Sequence, residues 1–198
     1  MKLIPMFAEY LVIDTLQHKT KINKDLISLD YTKVISGAYI SKNKNIDLLK
    51  PSLKKLKKQI HEHLKKLIYE VFYFNTEFTI TNFWSTKTPK GYFGQPHIHT
   101  NSWLSGIYYP ETVESSSIRF YKKQTSLWDI KTPCKFNFAN ADFFDVSTVE
   151  NTLLLFSSDT KHSIHCNNND KDRFSIAFNI LPKGIIGEAD SKINITCT

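Results

Sequence analysis

Cysteine is scarce in this 198-residue sequence, and a long apolar run is missing altogether. The three cysteines, Cys134, Cys166 and Cys197, are odd in number and far apart, which excludes a zinc ribbon or a disulfide framework and favours a reducing cytoplasm. The sequence has no run of about 18 apolar residues, the length that a membrane-spanning helix needs. The first residues, MKLIPMFAEYLVID, are too short and too acidic at their end for a secretory signal. We therefore expect a cytoplasmic protein with no membrane partner.

Excess positive charge is the most visible compositional feature, with a formal net charge of +7. Much of it lies in residues 49–67, LKPSLKKLKKQIHEHLKKL, where lysines alternate with leucines at helical spacing. Lysine on the solvent face of an amphipathic helix is common, so this charge is weak grounds for nucleic acid as a partner. Nucleic-acid binding remains the weakest hypothesis, and it predicts an affinity that collapses with salt.

The periodicity of the apolar residues divides the chain into two kinds of structure. Residues 51–71 carry apolar side chains at three- and four-residue steps behind Pro51, which predicts a helix of about six turns. From residue 76 the period becomes two, in the segments EFTITNFW, WLSGIYY, SIRFYKK, TLLLFSS and RFSIAFNI. Short strands without helices between them favour an antiparallel sandwich or barrel. We expect one α+β domain over 1–198, with a helical support part (1–75), a β core (76–182) and a tail (183–198).

Three histidines predict a metal site in the β core. His97 and His99 lie two apart in HIHTNSWLSG, so on a strand both side chains point to the same face. His162 follows the apolar run TLLLFSS on a late strand. Two ligands on an early strand and one on a late strand are how a jelly roll holds a single metal ion in the mouth between its sheets.

The last predicted strand, RFSIAFNI, adds a polar face beside these histidines. Arg173, Ser175 and Asn179 alternate with apolar residues that belong to the core. An arginine with a serine two residues on can hold a carboxylate, because the guanidinium donates to both carboxylate oxygens and the serine hydroxyl adds a third donor. The alternative is an arginine at the rim, paired with Asp170 or Asp172.

The order of these motifs resembles a known family, the 2-oxoglutarate- and iron(II)-dependent oxygenases of small phage and bacterial proteins. The resemblance covers roughly residues 76–182, and no single motif in it is strong. The matching residues are Trp84, Gly91, His97, His99, Ser105, Gly106, Tyr108, Tyr109, Leu153 to Phe156, His162, Arg173, Ser175, Ile176, Phe178 and Asn179.

The resemblance implies a double-stranded β-helix, also called a jelly roll or cupin-like fold, with the N-terminal helix packed against it. It implies iron(II), 2-oxoglutarate and dioxygen, with succinate and carbon dioxide released. By position His97 and His162 correspond to metal ligands, and Arg173 and Ser175 to the partners of the distal carboxylate of 2-oxoglutarate. Tyr109 shares a strand face with Ser105 and is the better candidate than Tyr108 for a hydroxyl to that carboxylate, with an ordinary packed tyrosine as the alternative. Asn179, on the same face as Arg173, completes the expected cofactor-binding set.

His99 departs from the wider superfamily, which places an aspartate at this position. Either His99 is the third ligand, so that three imidazoles hold the metal, or Asn101 or water completes the site. Three neutral imidazoles leave the metal with one more positive charge than two imidazoles and a carboxylate do.

Two functions of different classes follow. The first is a dioxygenase that hydroxylates an unidentified small molecule or protein side chain, in the host cytoplasm if the source is a phage. The second is a non-catalytic jelly roll that binds a metal or a small acid. The sequence does not name the substrate, and it leaves the oligomeric state open.

Overall fold

The computed structural model describes residues 2, 4, 9–17, 21–113, 116–123, 135–137 and 139–197. Within these residues the structure has two α-helices and twelve strands. The helices are α1 (Asn23–Ile27) and α2 (Pro51–Lys66), and a π turn, Leu67–Val71, continues α2. The strands are β1 (Leu11–Thr15), β2 (Tyr31–Lys33), β3 (Tyr39–Ser41), β4 (Glu77–Thr88), β5 (Gly94–His97), β6 (Leu104–Tyr108), β7 (Ser117–Tyr121), β8 (Phe143–Ser147), β9 (Thr152–Ser157), β10 (His162–Ile164), β11 (Arg173–Ile186) and β12 (Ile193–Ile195). Short 3₁₀ turns lie at Ile46–Leu48 and Ala189–Ser191.

The strands form two antiparallel sheets. The major sheet has the order β1-β9-β6-β11-β4-β3-β2, with β12 paired to β11. The minor sheet has the order β5-β10-β7-β8. Non-consecutive strands lie side by side along β1-β9-β6-β11-β4 and β5-β10-β7, as in a double-stranded β-helix, and the predicted fold class is confirmed.

Helix α2 covers one face of the major sheet. It begins at Pro51, whose missing N–H is tolerated in a first turn. Its leucines and Ile60 form one buried stripe that packs on apolar residues of β4, β9 and β11. The predicted helix is confirmed, since α2 and its π turn cover the same residues. These contacts place the apolar alternate residues of β11, such as Ile176 and Phe178, in the main core.

The minor sheet covers the other face and encloses a second, smaller core. This core contains Ile107, Tyr109, Ile118, Phe120, Val146, Leu154, Phe156 and Ala177. Strand β9 contributes to both cores, which explains its uninterrupted apolar run. Gly106 in β6 has a steric role, because a Cβ there would lie 2.2 Å from the ring of Phe178. The second core forms the floor of the site described below.

Several strands lie outside the predicted β core of residues 76–182. Two of them overlap segments of the N-terminal part that look strand-like in the sequence: β1 overlaps EYLVID and β3 overlaps KVISGAYIS. Strands β1, β2 and β3 belong to the N-terminal part yet extend the major sheet, and β11 runs on into the predicted tail to pair with β12. Residues 122–150 are a long, aromatic-rich insertion between the predicted strands SIRFYKK and TLLLFSS. Strand β8 lies in this insertion and pairs with β7. Part of the insertion, with Trp128 and Phe138, lies outside the described residues. Among the described residues no helix combines the length and the apolar character needed to cross a bilayer.

Candidate metal centre and acid pocket

Three imidazoles meet at one end of the minor sheet. His97 ends β5 and His162 begins β10, and the two residues are direct partners across this antiparallel pair. Their ring centroids lie 4.4 Å apart. His99 follows β5, and its backbone N–H donates to Ser158 O at 2.9 Å, which turns its ring towards the other two. One ring nitrogen from each histidine lies within 4.8 Å of the other two, a cluster that could hold a metal ion.

Hydrogen bonds at Nδ1 determine which nitrogen of each ring faces the cluster. The acceptors are Gln95 O for His97 (2.7 Å), Thr160 O for His162 (3.0 Å) and Asn179 Oδ1 for His99 (2.6 Å). Since all three partners are oxygen acceptors, each Nδ1 carries the proton and each Nε2 carries a lone pair. Two of these, His97 Nε2 and His99 Nε2, lie 3.3 Å apart. Two lone pairs that face each other repel, and a cation bound by both removes this repulsion.

Burial keeps the inner histidines neutral. His162 is 1% exposed and packs against Phe120 and Phe156, so it lies in the core rather than at the mouth predicted from the sequence. Burial lowers its pKa to about 3. Burial also lowers the pKa of His99, which is partly opposed by the hydrogen bond with Asn179. Neutral imidazole is the form that binds a metal, so the site is ready for a cation at neutral pH.

A buried polar chain supports His99 from behind. Asn179 Oδ1 accepts from His99 and also from Ser105 Oγ at 3.1 Å. Ser105 Oγ in turn lies 2.8 Å from Ser158 Oγ, and both serines are at most 1% exposed. Ser158 also accepts the backbone N–H of His99, so the chain closes on the same residue. Asn179, predicted to bind the cofactor, is placed to fix the ring orientation of His99.

The residues predicted to bind a carboxylate include two that are buried and carry polar atoms without a hydrogen-bond partner among the described residues. Arg173 is 3% exposed and Tyr109 is 1% exposed. Arg173 Nη2 donates to His165 O at 2.8 Å, but Arg173 Nη1 and the Tyr109 hydroxyl have no hydrogen-bond partner among the described residues. Burial raises the pKa of Tyr109, while the nearby charge of Arg173 opposes the rise. A guanidinium and a hydroxyl left unsatisfied in the core are costly unless an anion binds them.

The alternative position for Arg173, an ion pair at the rim, is not observed. Asp170 pairs with Lys90 at 2.6 Å, and Asp172 lies 3.9 Å from Lys87. Arg173 is instead buried, on the strand face of β11 that carries Ala177 of the second core, and it interacts electrostatically with Tyr109. Tyr108 faces the main core, and its hydroxyl donates to Asn151 at 2.5 Å, as the alternation of strand faces predicted.

A cavity of about 850 Å³ lies against the histidine cluster, and neither Arg173 nor Tyr109 is among its lining residues. His97, His99, His162, Ser175 and Asn179 line it. From the sequence, Trp84 could either line the substrate pocket or belong to the core. Its half-buried ring does both, since it packs against the second core and lines the cavity 5.7 Å from the ring of His99. Sequence reasoning missed the wall that residues 33–44 contribute, because nothing in a short N-terminal hairpin indicates a distant site.

Comparison with known families gives one match. Residues 82–179, about half of the chain, match the family model described as "Putative 2OG-Fe(II) oxygenase". All seven predicted site residues lie inside this range. No curated protein matches the chain.

Solved structures share the fold at low sequence identity. A prolyl hydroxylase of Trichoplax adhaerens, solved with a peptide of hypoxia inducible factor, is 12% identical with a TM-score of 0.62, over 86% of this chain and 82% of that one. HygX of Streptomyces hygroscopicus, solved with nickel and 2-oxoglutarate, is 10% identical with a TM-score of 0.61, over 88% and 83%. A 2OG-Fe(II) oxygenase family protein of Burkholderia pseudomallei is 11% identical with a TM-score of 0.58, over 80% and 75%. At these identities the likeness shows the fold.

Proposed function

We propose, for a chain that belongs to the 2OG-Fe(II) oxygenase family, that His97, His99 and His162 bind iron(II) and that Arg173, Tyr109 and Ser175 bind 2-oxoglutarate. The reaction proposed is hydroxylation of a substrate C–H bond. One observation carries the proposal: a ring nitrogen of each histidine lies within 4.8 Å of the other two, while every Nδ1 faces an oxygen acceptor. A site built only for packing has no need for three aligned lone pairs.

The residues present fit iron(II) and its cosubstrate. Three imidazoles on one side of a metal leave its other positions open, as non-haem iron oxygenases require. The unsatisfied Arg173 Nη1 and Tyr109 hydroxyl fit the two oxygens of a carboxylate. When bound, iron(II) activates dioxygen, and one oxygen atom enters the substrate while 2-oxoglutarate becomes succinate and carbon dioxide.

Each protein group has a separate task in this proposal. Arg173 and Tyr109 supply the unpartnered buried donors for the distal end of the acid, and Ser175, two residues from Arg173 on β11, lines the cavity. The apolar side chains of Ile107, Ile164 and Ala177 line the same cavity and keep water from its floor. Asn179 holds the ring of His99 in one orientation.

The experiment combines binding with turnover. Metal-free protein is titrated with iron(II) under nitrogen, then with 2-oxoglutarate, and succinate is measured after oxygen is admitted. We expect one iron and one 2-oxoglutarate per chain, and slow succinate release in the absence of substrate. Iron and 2-oxoglutarate that bind without any succinate release would favour the non-catalytic jelly roll. Absence of iron binding would refute the metal site itself.

A further inference from the structure

The cavity is larger than a five-carbon diacid requires, and its remaining wall comes from the N-terminal part. We call this the N-terminal wall; it consists of Lys33, Val34, Ile35, Ser36, Ala38, Ile40 and Lys44. It faces Asn82, Trp84 and Thr86, which point from β4 into the same cavity. A volume of about 850 Å³ lies within the range of small-molecule sites, roughly 300–1,000 Å³. The structure therefore has room for a primary substrate beside the metal.

The charge of this cavity has one sign. Among its described lining residues the charged side chains are the two lysines, Lys33 and Lys44, and there is no carboxylate. Lys44 Nζ donates to the neutral Ser41 O at 2.9 Å, and burial lowers its pKa. Lys33 Nζ lies over the ring of Tyr92, 5.3 Å from its centroid. No ion pair with a carboxylate is found for either lysine within the part of the chain that the structure describes.

Lysines elsewhere show that acidic partners are available in this chain. Lys57 pairs with Asp47 at 3.1 Å, and Lys90 pairs with Asp170 at 2.6 Å. The two cavity lysines instead contact a carbonyl and an aromatic ring, neither of which neutralises a cation. An anion that enters the cavity therefore meets positive charge without competition from protein carboxylates.

The rim that carries Lys33 is held in place. Gly37 and Phe93 form a parallel backbone bridge between the N-terminal wall and the loop before β5. The ring of Tyr92 lies against Gly37, where an added Cβ would be 1.9 Å from Cδ1. Gly37 also has a φ of +83°, so two constraints favour glycine at this position. The Tyr92 ring that contacts Gly37 also lies under Lys33, which orders the lysine at the mouth.

The histidine cluster adds to the same field. A carboxylate ligand in place of His99 would remove one positive charge from the metal centre, and an imidazole does not. The cavity thus combines a histidine cluster that brings no negative charge to a bound metal, two lysines without carboxylate partners among the described residues, and the large aromatic surface of Trp84.

We propose that the primary substrate carries an anionic group, a carboxylate or a phosphate, which Lys33 and Lys44 bind while its aromatic or apolar body packs on Trp84. This inference rests on the proposed function, because it assigns the substrate of the same site. The anion selects the substrate, and the adjoining apolar part presents its C–H bonds to the metal centre.

The test is equilibrium binding without turnover. The protein is loaded with zinc(II) in place of iron and saturated with 2-oxoglutarate, so that Arg173 is already occupied. Phenyl phosphate, 3-phenylpropionate and benzyl alcohol are then titrated by calorimetry. The same titrations are made on Lys33→Gln/Lys44→Gln and on the matched control Lys54→Gln/Lys55→Gln, which removes two exposed lysines of α2.

We expect at least one anion to bind at millimolar concentration or below and to bind more tightly than benzyl alcohol. The cavity double variant should weaken that anion about tenfold or more, and the α2 control should leave it unchanged. Preference for phenyl phosphate or for 3-phenylpropionate then identifies the anionic group. Equal binding of the alcohol, equal effects of the two double variants, or no anion binding would each overturn the proposal. Whether 2-oxoglutarate binds at all is measured separately, in the loading step that precedes the anion titrations. If it does not bind, the anions are titrated without it, and an effect confined to the cavity variant still supports the proposal.

Discussion

Tyr109→Phe should change stability and cosubstrate binding in opposite directions. The hydroxyl of Tyr109 is fully buried and has no partner among the described residues. An unsatisfied buried polar group costs about 1–3 kcal/mol. Removing it leaves the ring in place, so the free energy of unfolding should rise by about 1 kcal/mol or more when 2-oxoglutarate is absent.

The same change should weaken the binding of 2-oxoglutarate. A hydrogen bond to a charged group contributes about 1.5–3 kcal/mol, which corresponds to a roughly ten- to hundredfold higher Kd. Urea unfolding of the metal-free protein measures the first effect, and anaerobic titration of the iron-bound protein measures the second. One substitution thus separates a group retained for binding from a group retained for stability.

The neighbouring tyrosine provides a matched control. Tyr108 has the same side chain but faces the main core, and its hydroxyl donates to Asn151. Tyr108→Phe should therefore lower the free energy of unfolding by about 1 kcal/mol and leave 2-oxoglutarate affinity unchanged. The reasoning is refuted if Tyr109→Phe destabilises the protein and binds 2-oxoglutarate as tightly as before, because the hydroxyl would then have a structural partner.

Three further predictions concern the metal site. His99→Asp should keep iron bound, His99→Ala should weaken iron binding strongly, and Asn101→Ala should leave iron binding unchanged. Tight iron binding by His99→Ala in an anaerobic titration would exclude His99 as a ligand. Asn179→Ala should weaken zinc(II) about tenfold in competition with a chromophoric chelator, because it frees the His99 ring, and Ser175→Ala should leave zinc affinity unchanged. The metal-free protein should lose stability as the pH falls below 6.5, since unfolded His162 binds a proton there and folded His162, with a pKa of about 3, does not. The loss from this residue is about 1.4 kcal/mol at pH 5.5, and a His162→Asn variant should show a correspondingly shallower pH profile in urea unfolding.

The sequence alone was sufficient for the features that depend on alternation within one strand. Side chains two apart on a strand share a face, so His97 could be grouped with His99, and Arg173 with Ser175 and Asn179. The same rule separated Tyr109 from Tyr108, and the structure places them in different cores. The helical period predicted α2 because its buried stripe is local in sequence.

Only the tertiary structure determines which of these strand faces come into contact with one another. The register of β5 with β10 places His162 opposite His97, and no local pattern specifies that pairing. The strand order β6-β11-β4 places Asn179 beside Ser105, so that Asn179 contacts a histidine rather than facing only the cavity. The segment KVISGAYIS looks strand-like in the sequence, but only the tertiary structure shows that the hairpin β2–β3 joins the edge of the major sheet and brings Lys33 to the cavity. Such contacts depend on strand order and on sheet-to-sheet packing over more than a hundred residues, whereas sequence periodicity reports only the orientation of neighbours along the chain.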